Sequence, residues 1–397
     1  MSNRQTGIVV AGIVLSAFFG SAAVFAQQTE LPSFVRNGVA GFVVSHIQYA
    51  LAGDAAETGA CPAGTNQSYR DLRQAFINFP EVQREAGESD HDYGRRVRAV
   101  ARRQPGLKSY CFYPEVGADN GAFKTVNSTE MPLSGIDLDG HTSTGEDRSP
   151  GSCPHQDFTA SDGTGGIDNQ FYRVVGCIDG YQSTGQANLF NIGQLTGSWG
   201  LLIRLSGVDD LFNDDSVKVS VFANGDPIRL SPQREPLDYA TYTVHVEPRF
   251  HASSDGRIVD GVLTTGAMDV RFPYDVNAMY LDRVLRDARL QLTIAADGHA
   301  EGYLAGYAPV EDQYDLEYGY RSARVGTSED SEPSPLPRRI QSAIGKARAL
   351  GYTCEGIYSA LYRQADGHYD PEKGSCTSIS TQYQISVIPA FVLDRED

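Results

Sequence analysis

The chain has 397 residues, with 33 Lys plus Arg against 50 Asp plus Glu, a formal net charge of −17, six Cys and one Trp. That surplus of acid opposes any role resting on long-range attraction to nucleic acid or anionic lipid, so no nucleic-acid partner is expected. Hydrophobic residues at 41% and charged residues at 21% exclude disorder of the whole chain, and the length allows one large domain or two to three modest ones.

Residues 1–26 read as an export signal. Arg4 gives a short positive start, Gly7 to Phe19 an apolar run, and Val24-Phe25-Ala26 a small-residue cleavage pattern before Gln27. The apolar run is short of the ~20 residues a spanning helix prefers. No later stretch replaces it, since the nearest, Val39 to Leu51, is interrupted by Ser45, His46 and Gln48. A periplasmic or secreted protein with no integral membrane segment after signal cleavage is expected.

All six cysteines, Cys61, Cys111, Cys153, Cys177, Cys354 and Cys376, follow the signal, and an even count in an oxidising compartment favours three disulfides. The sequential set is expected because Cys153 with Cys177 and Cys354 with Cys376 close short, turn-rich loops. Cys61 with Cys111 is the pairing the spacing supports least. Zinc is disfavoured, because no Cys-x-x-Cys spacing occurs.

Residues 64–105 carry a helical period. Ser68 and Asp71 make a capping-box start, Leu72, Ala75, Phe76 and Phe79 share a face, and Pro80 stops the run. A second helix starts at Ser89 and Asp92 and ends near Pro105. It holds Arg95, Arg96, Arg98, Arg102 and Arg103, the one dense basic cluster, which reads as a solvated face paired with the chain's own acids or as a docking surface for an acidic partner.

From about residue 120 the period changes to 2. Leu201, Ile203 and Leu205 alternate with more polar neighbours, as do Val217, Val219 and Val221, and then Tyr242, Val244 and Val246. Leu290, Leu292 and Ile294 lead into Asp297-Gly298 and a returning strand from His299 to Tyr307, a hairpin signature. Residues 326–337 read as an acidic Pro/Ser linker or exposed loop. Beyond it come a helix through Ile340, Ile344 and Ala347 with Gly351 as its C′ residue, a second helix from Cys354 to about Asp366-Gly367, and a strand near Tyr383 to Leu393. The expectation is a mainly β protein: an antiparallel β-sandwich of jelly-roll or lectin type over 116–325, a partly helical N-terminal segment over 27–115, and a disulfide-bonded helix-strand appendage over 338–397.

The most informative polar stretch is 135–180. Asp137 and Asp139 lie in Gly-Ile-Asp-Leu-Asp-Gly, Asp147, Asp157 and Asp162 follow, and Asp168 and Asn169 lie in Gly-Ile-Asp-Asn-Gln. Calcium needs six to eight oxygens at about 2.4 Å, which Gly-flanked carboxylates on two loops can begin to supply. Asp137, Asp139, Asp168 and Asn169 are therefore the candidate ligands, against the alternative that Asp and Gly are simply turn formers. The EF-hand pattern is not matched. A second cluster, Asp209, Asp210, Asp214 and Asp215, reads as a solvated turn or a further cation loop. Three Asp-Gly-His tripeptides, at 139–141, 297–299 and 366–368, fit Asp-Gly turn chemistry.

Gly-x-Ser-x-Gly, His-Glu-x-x-His, Walker and Gly-x-Gly-x-x-Gly motifs are all missing, so a motif-bearing enzyme is disfavoured. A carboxylate-pair glycosidase or lyase stays open, with Trp199 and some of the 21 Tyr as sugar platforms. The runs 135–140, 166–177, 256–265 and 376–383 resemble a group of exported bacterial proteins of unknown function over most of the mature chain; the resemblance implies export and brings no activity, cofactor or site residue. The leading expectation is a non-catalytic binding protein, calcium-supported, for a carbohydrate or envelope-protein partner. A carbohydrate-active enzyme on the same scaffold and a structural accessory subunit of an envelope complex are the alternatives.

Overall fold

The computed structural model describes residues 34–395 apart from 56, 68, 102–109, 118–120, 128–130, 147–152, 184, 186, 188–190 and 198. The expected signal segment, Ser68, Arg102, Arg103 and Asp147 lie outside the described residues. The strands are β1 (Val39–Tyr49), β2 (Leu201–Ser206), β3 (Asp214–Ala223), β4 (Ala240–Thr243), β5 (His251–Val259), β6 (Val262–Thr265), β7 (Met268–Val276), β8 (Met279–Ile294), β9 (Ala300–Pro309), β10 (Gly367–Asp370) and β11 (Ser375–Leu393). The helices are α1 (Tyr69–Ile77), α2 (Asp90–Ala101), α3 (Gln170–Val175), α4 (Asn191–Leu195), α5 (Val310–Tyr314), α6 (Leu336–Leu350) and α7 (Cys354–Arg363).

The protein is mainly β, as its alternation indicates, but the pairing makes one sheet and not two facing ones. Strands run in the order β1-β2-β3-β5-β6-β8-β9-β11, and β11 pairs back onto β1 through Phe42↔Pro389 to Tyr49↔Tyr383. All eight neighbours are antiparallel, so the sheet closes on itself and leaves no open edge along this ring. Alternate residues from all eight strands, such as Phe42, Ile203, Val219, Ile258, Leu263, Leu292, Leu304 and Ile385, join one buried core, as the filled interior of a small barrel requires. The opposite face is covered locally. Val43, Leu202, Phe222, Tyr242, Val244, Ala390 and Val392 form a second cluster where β4 adds to β11.

The N-terminal and C-terminal expectations change accordingly. The 27–115 segment supplies α1 and α2 but also β1, a wall strand of the barrel. The C-terminal portion is not an appendage, because β11 is hydrogen-bonded to β9 over ten residue pairs and to β1 over seven. Residues 326–337 do not separate two bodies: Val325 donates to the Glu332 carbonyl and Ser334 to that of Ala323, which ties the loop at both ends, and 31–397 forms one compact unit. Among the described residues no helix is long and apolar enough to cross a membrane.

The three disulfides form, with a different connectivity from the sequential set. Cys61 pairs with Cys177, Cys111 with Cys354, and Cys153 with Cys376. Each spans 116 or more residues, because the bridges tie loops to the residues just after α3, to α7 and to β11 instead of stapling a loop to itself. Gly351 is the C′ residue of α6 as expected, at φ +90°. Gly298 is needed twice, for its φ of +88° and because a Cβ there would lie 2.4 Å from the Phe34 ring.

The capping box opening α2 forms: Asp92 donates its N–H to Ser89 Oγ at 3.1 Å, and Ser89 Oγ–H bonds Asp92 Oδ2 at 2.7 Å. The basic cluster on this helix is paired within the chain, Arg95 to Asp92 at 2.8 Å and Arg96 to Glu88 at 2.7 Å. Replacing Arg95 and Arg98 together by Gln should move the melting midpoint by no more than about 2 °C, because the Arg95–Asp92 pair is solvent-exposed and such pairs contribute little. Loss of a co-purifying partner with folding intact would instead identify this face as a docking surface.

Candidate metal-binding site

The site lies on the outer wall of the barrel, where Tyr307 of β9 and Cys376 of β11 are covered by three chain segments. Residues 136–143 run across β8, β9 and β11: Ile136 and Leu138 pack on Ala305, Gln382 Oε1 accepts the Ile136 N–H at 2.9 Å, and Arg289 Nε donates to the Leu138 carbonyl at 2.9 Å. Residues 153–157 are pinned to β11 by the Cys153–Cys376 bridge. Asp366 comes from the turn between α7 and β10, and His368 from β10 itself. Together they enclose a cavity of about 490 Å³ lined by Asp139, Asp157, Asp168, Asp366, His141 and His155, with His368, Tyr307 and Tyr369 at its sides.

Asp137, Asp139 and Asp168 converge, each offering an oxygen within 4.8 Å of the others. Backbone N–H groups fix the three carboxylates: Gly140 donates to Asp137 Oδ1 at 2.6 Å, His141 to Asp139 Oδ1 at 2.8 Å, and Leu138 to Asp168 Oδ2 at 2.7 Å. These bonds engage one oxygen of each group and leave the other for a ligand. Two oxygens on one calcium are at most twice the ~2.4 Å bond apart, so the separation suits a single ion. The all-oxygen set is that of a hard cation, and the three histidines nearby stand outside it.

Asn169 is not part of this set. Its Oδ1 accepts the Tyr172 N–H at 3.1 Å as the N-cap of α3, and its Nδ2 donates to the Ala50 carbonyl at 2.8 Å, so both ends of the amide are used. The turn-former reading is also satisfied at Asp137 and Asp139, whose backbone bonds are turn bonds. Asp168 differs, being 4% exposed.

The electrostatics of the pocket are unfavourable to its own carboxylates. Burial raises Asp168 to about 8, opposed by the Leu138 N–H and reinforced by Asp157, Asp366 and Asp139. Burial likewise raises Asp366 to about 7 and Asp157 to about 6. Tyr307 is held protonated by burial and by the same acids, and His155 is lowered chiefly by burial. Arg173, behind the pocket, donates to the Gln156 carbonyl at 2.7 Å and stacks over Phe158, and its charge offsets only a small part of the rise at Asp157.

Sequence reasoning missed Asp366, His368 and His155. A signal existed: two of the three Asp-Gly-His tripeptides, 139–141 and 366–368, line this one cavity. The third is remote, its His299 bonded to Asp238 at 3.0 Å. Trp199 is not a sugar platform, because it is 4% exposed and stacks on Phe272 at 5.6 Å in the core. The Asp209–Asp215 turn is held by internal bonds, Asp209 N–H to Asp214 and Phe212 N–H to Asp210. Asp215 does meet Asp137 across a neighbouring groove, outside the convergent trio. No protein family, curated protein or solved structure matches the chain.

Proposed function

We propose that the protein is a non-catalytic binding protein of an oxidising compartment, periplasmic or secreted, in which calcium held by Asp137, Asp139 and Asp168 supports binding of a carbohydrate ligand. The convergence of three carboxylate oxygens within 4.8 Å carries this reading. Three disulfides support the compartment. Acids raised chiefly by burial and further by one another are what a divalent ion would relieve.

The expected result is a stabilisation by Ca²⁺ that grows with pH. Asp157, Asp168 and Asp366 have folded values above their unfolded ones, so what they contribute to the ion-free fold is fully present below about pH 4 and is lost as pH rises through about 6, 7 and 8. An ion at 100 times its dissociation constant restores about 2.7 kcal/mol, a few degrees in a chain of this size. Melts at pH 5 and pH 8, with Ca²⁺ or chelator, on wild type and Asp139→Asn, test it. Identical midpoints with and without Ca²⁺ at pH 8, and no calcium by elemental analysis, would sink the reading.

One observation favours a second reading, a carboxylate-pair glycosidase or lyase: Asp157, Asp168 and Asp366 face a concave pocket flanked by Tyr307 and Tyr369. Turnover of a glycan that Asp366→Asn abolishes, without loss of calcium, would replace the first reading by this one.

A further inference from the structure

The segment 136–139 is a ridge between two hollows. On one side lies the acidic pocket; on the other, a groove of about 470 Å³ that shares Asp137 and is walled by Arg257, Thr264, Arg289 and Gln291. Neither Arg257 nor Arg289 forms an ion pair among the described residues, in a protein with 17 more acids than bases. Arg289 uses only Nε, on the Leu138 carbonyl, and leaves the rest of its guanidinium for another partner. Of the acids around the groove, Asp255 is paired with Lys218 at 3.2 Å.

The same face of the wall carries a polar row that starts in the groove and runs beyond it. Arg257 stands opposite Thr264, Thr264 opposite Gln291, Gln291 opposite Tyr303, Tyr303 opposite Gln384, and Gln384 opposite Gln48. Directly opposed residues of antiparallel strands project to the same face, so this row lies on the outside of the barrel. At about 4.8 Å per strand its five spacings extend roughly 24 Å. Gln48 Nε2 already donates to Gln384 Oε1 at 2.9 Å, and beyond Arg257 the remaining members, Thr264, Gln291 and Tyr303, are neutral donors and acceptors of the kind that meet hydroxyl groups.

We propose that this groove binds an acidic oligosaccharide, with a uronate carboxylate held by Arg257 and Arg289 and its hydroxyls along the Thr264–Gln291–Tyr303–Gln384 row. Guanidinium forks match carboxylates in a way a neutral sugar does not exploit. The inference names the ligand class of the reading above and rests on it for one element: neutralising Asp137 with the cation removes one of the acids lining the groove and leaves Arg257 and Arg289 against Asp215, with Asp255 paired to Lys218. Saccharide affinity is therefore coupled to calcium.

Titration calorimetry with tetragalacturonate and with neutral cellotetraose, in Ca²⁺ and in chelator, tests it on the disulfide-bonded protein. Calcium alone is titrated in parallel. Wild type in Ca²⁺ should bind tetragalacturonate and not cellotetraose. Arg257→Gln and Arg289→Gln should each weaken it about tenfold or more, and Arg257→Gln, whose side chain does not hold the 136–139 segment, should bind calcium as wild type does. Asp139→Asn should lose calcium and saccharide together. Wild-type affinity in both Arg variants, equal affinity for cellotetraose, or calcium binding with no saccharide bound would overturn the inference and leave the cation site standing. Saccharide binding that needs Arg257 but ignores calcium would keep the groove and remove the cation site from it.

Discussion

Replacing Glu317 by Ala should cost about 3–5 kcal/mol and lower the melting midpoint by about 5 °C, the largest effect expected of any single side chain here. Glu317 follows α5, is 2% exposed, and accepts from Arg283, from Tyr49 Oη at 2.5 Å and from Lys346 Nζ at 2.6 Å. Arg283 on β8 is 1% exposed and also donates to Tyr383 Oη. Without the carboxylate, one fully buried cation and one half-buried cation share no acid. Burial opposes ionisation of Glu317, but Lys346 and Arg283 outweigh it and lower the group to about 2. Its folded value lies below its unfolded one, so its contribution is present above about pH 4 and is lost as pH falls toward 2. Chemical denaturation of wild type and Glu317→Ala at pH 7 and pH 3 measures both. A variant within 1 kcal/mol of wild type at pH 7 would mean that water reaches this network.

The second large effect concerns Cys111–Cys354. It joins the start of α7 to a loop 243 residues earlier, and by the chain-entropy relation closing so long a loop restricts the unfolded chain by roughly 5 kcal/mol. Cys111→Ser with Cys354→Ser should fall in stability by about that amount in guanidinium titrations. Removing Cys153 and Cys376 should cost a similar amount and also weaken calcium, because that bridge holds the 153–157 wall of the acidic pocket. Non-reducing peptide maps that join Cys153 to Cys177, or a Cys111/Cys354 variant as stable as wild type, would contradict the connectivity.

What the sequence reveals is bounded by what hydrophobic alternation can report. β3 and β8 have one face in the barrel core and, along most of their length, one nearer solvent, and their period of 2 is plain. β1 escapes because Phe42, Val43 and Val44 are all buried: its outer face is covered by the β4 cluster, so a wall strand reads as a continuous apolar run. The first half of β11 escapes for the opposite reason. Ser378, Ser380, Thr381 and Gln382 are fully buried yet polar, and Gln382 is there to hold the ridge, donating to the carbonyls of Ile136 and Asp168. The trio of acids was readable from Asp-x-Asp-Gly and Gly-Ile-Asp. The pocket beside it was not, because Asp366 and His368 reach it only through the fold of a strand more than 200 residues later than Asp137.

Barrel closure has a consequence for how the chain is made. β1 begins at residue 39 and its ring partner β11 ends at residue 393, so the wall cannot be completed until residue 393 has been synthesised. Until then β1 and β9 both present unpaired backbone, the condition that favours association between unfinished chains. Contacts of this sequence separation also make folding slow. A chain stopped before residue 375 has lost more than its tail: two hydrogen-bonding edges stand open, and the acidic pocket has lost its floor.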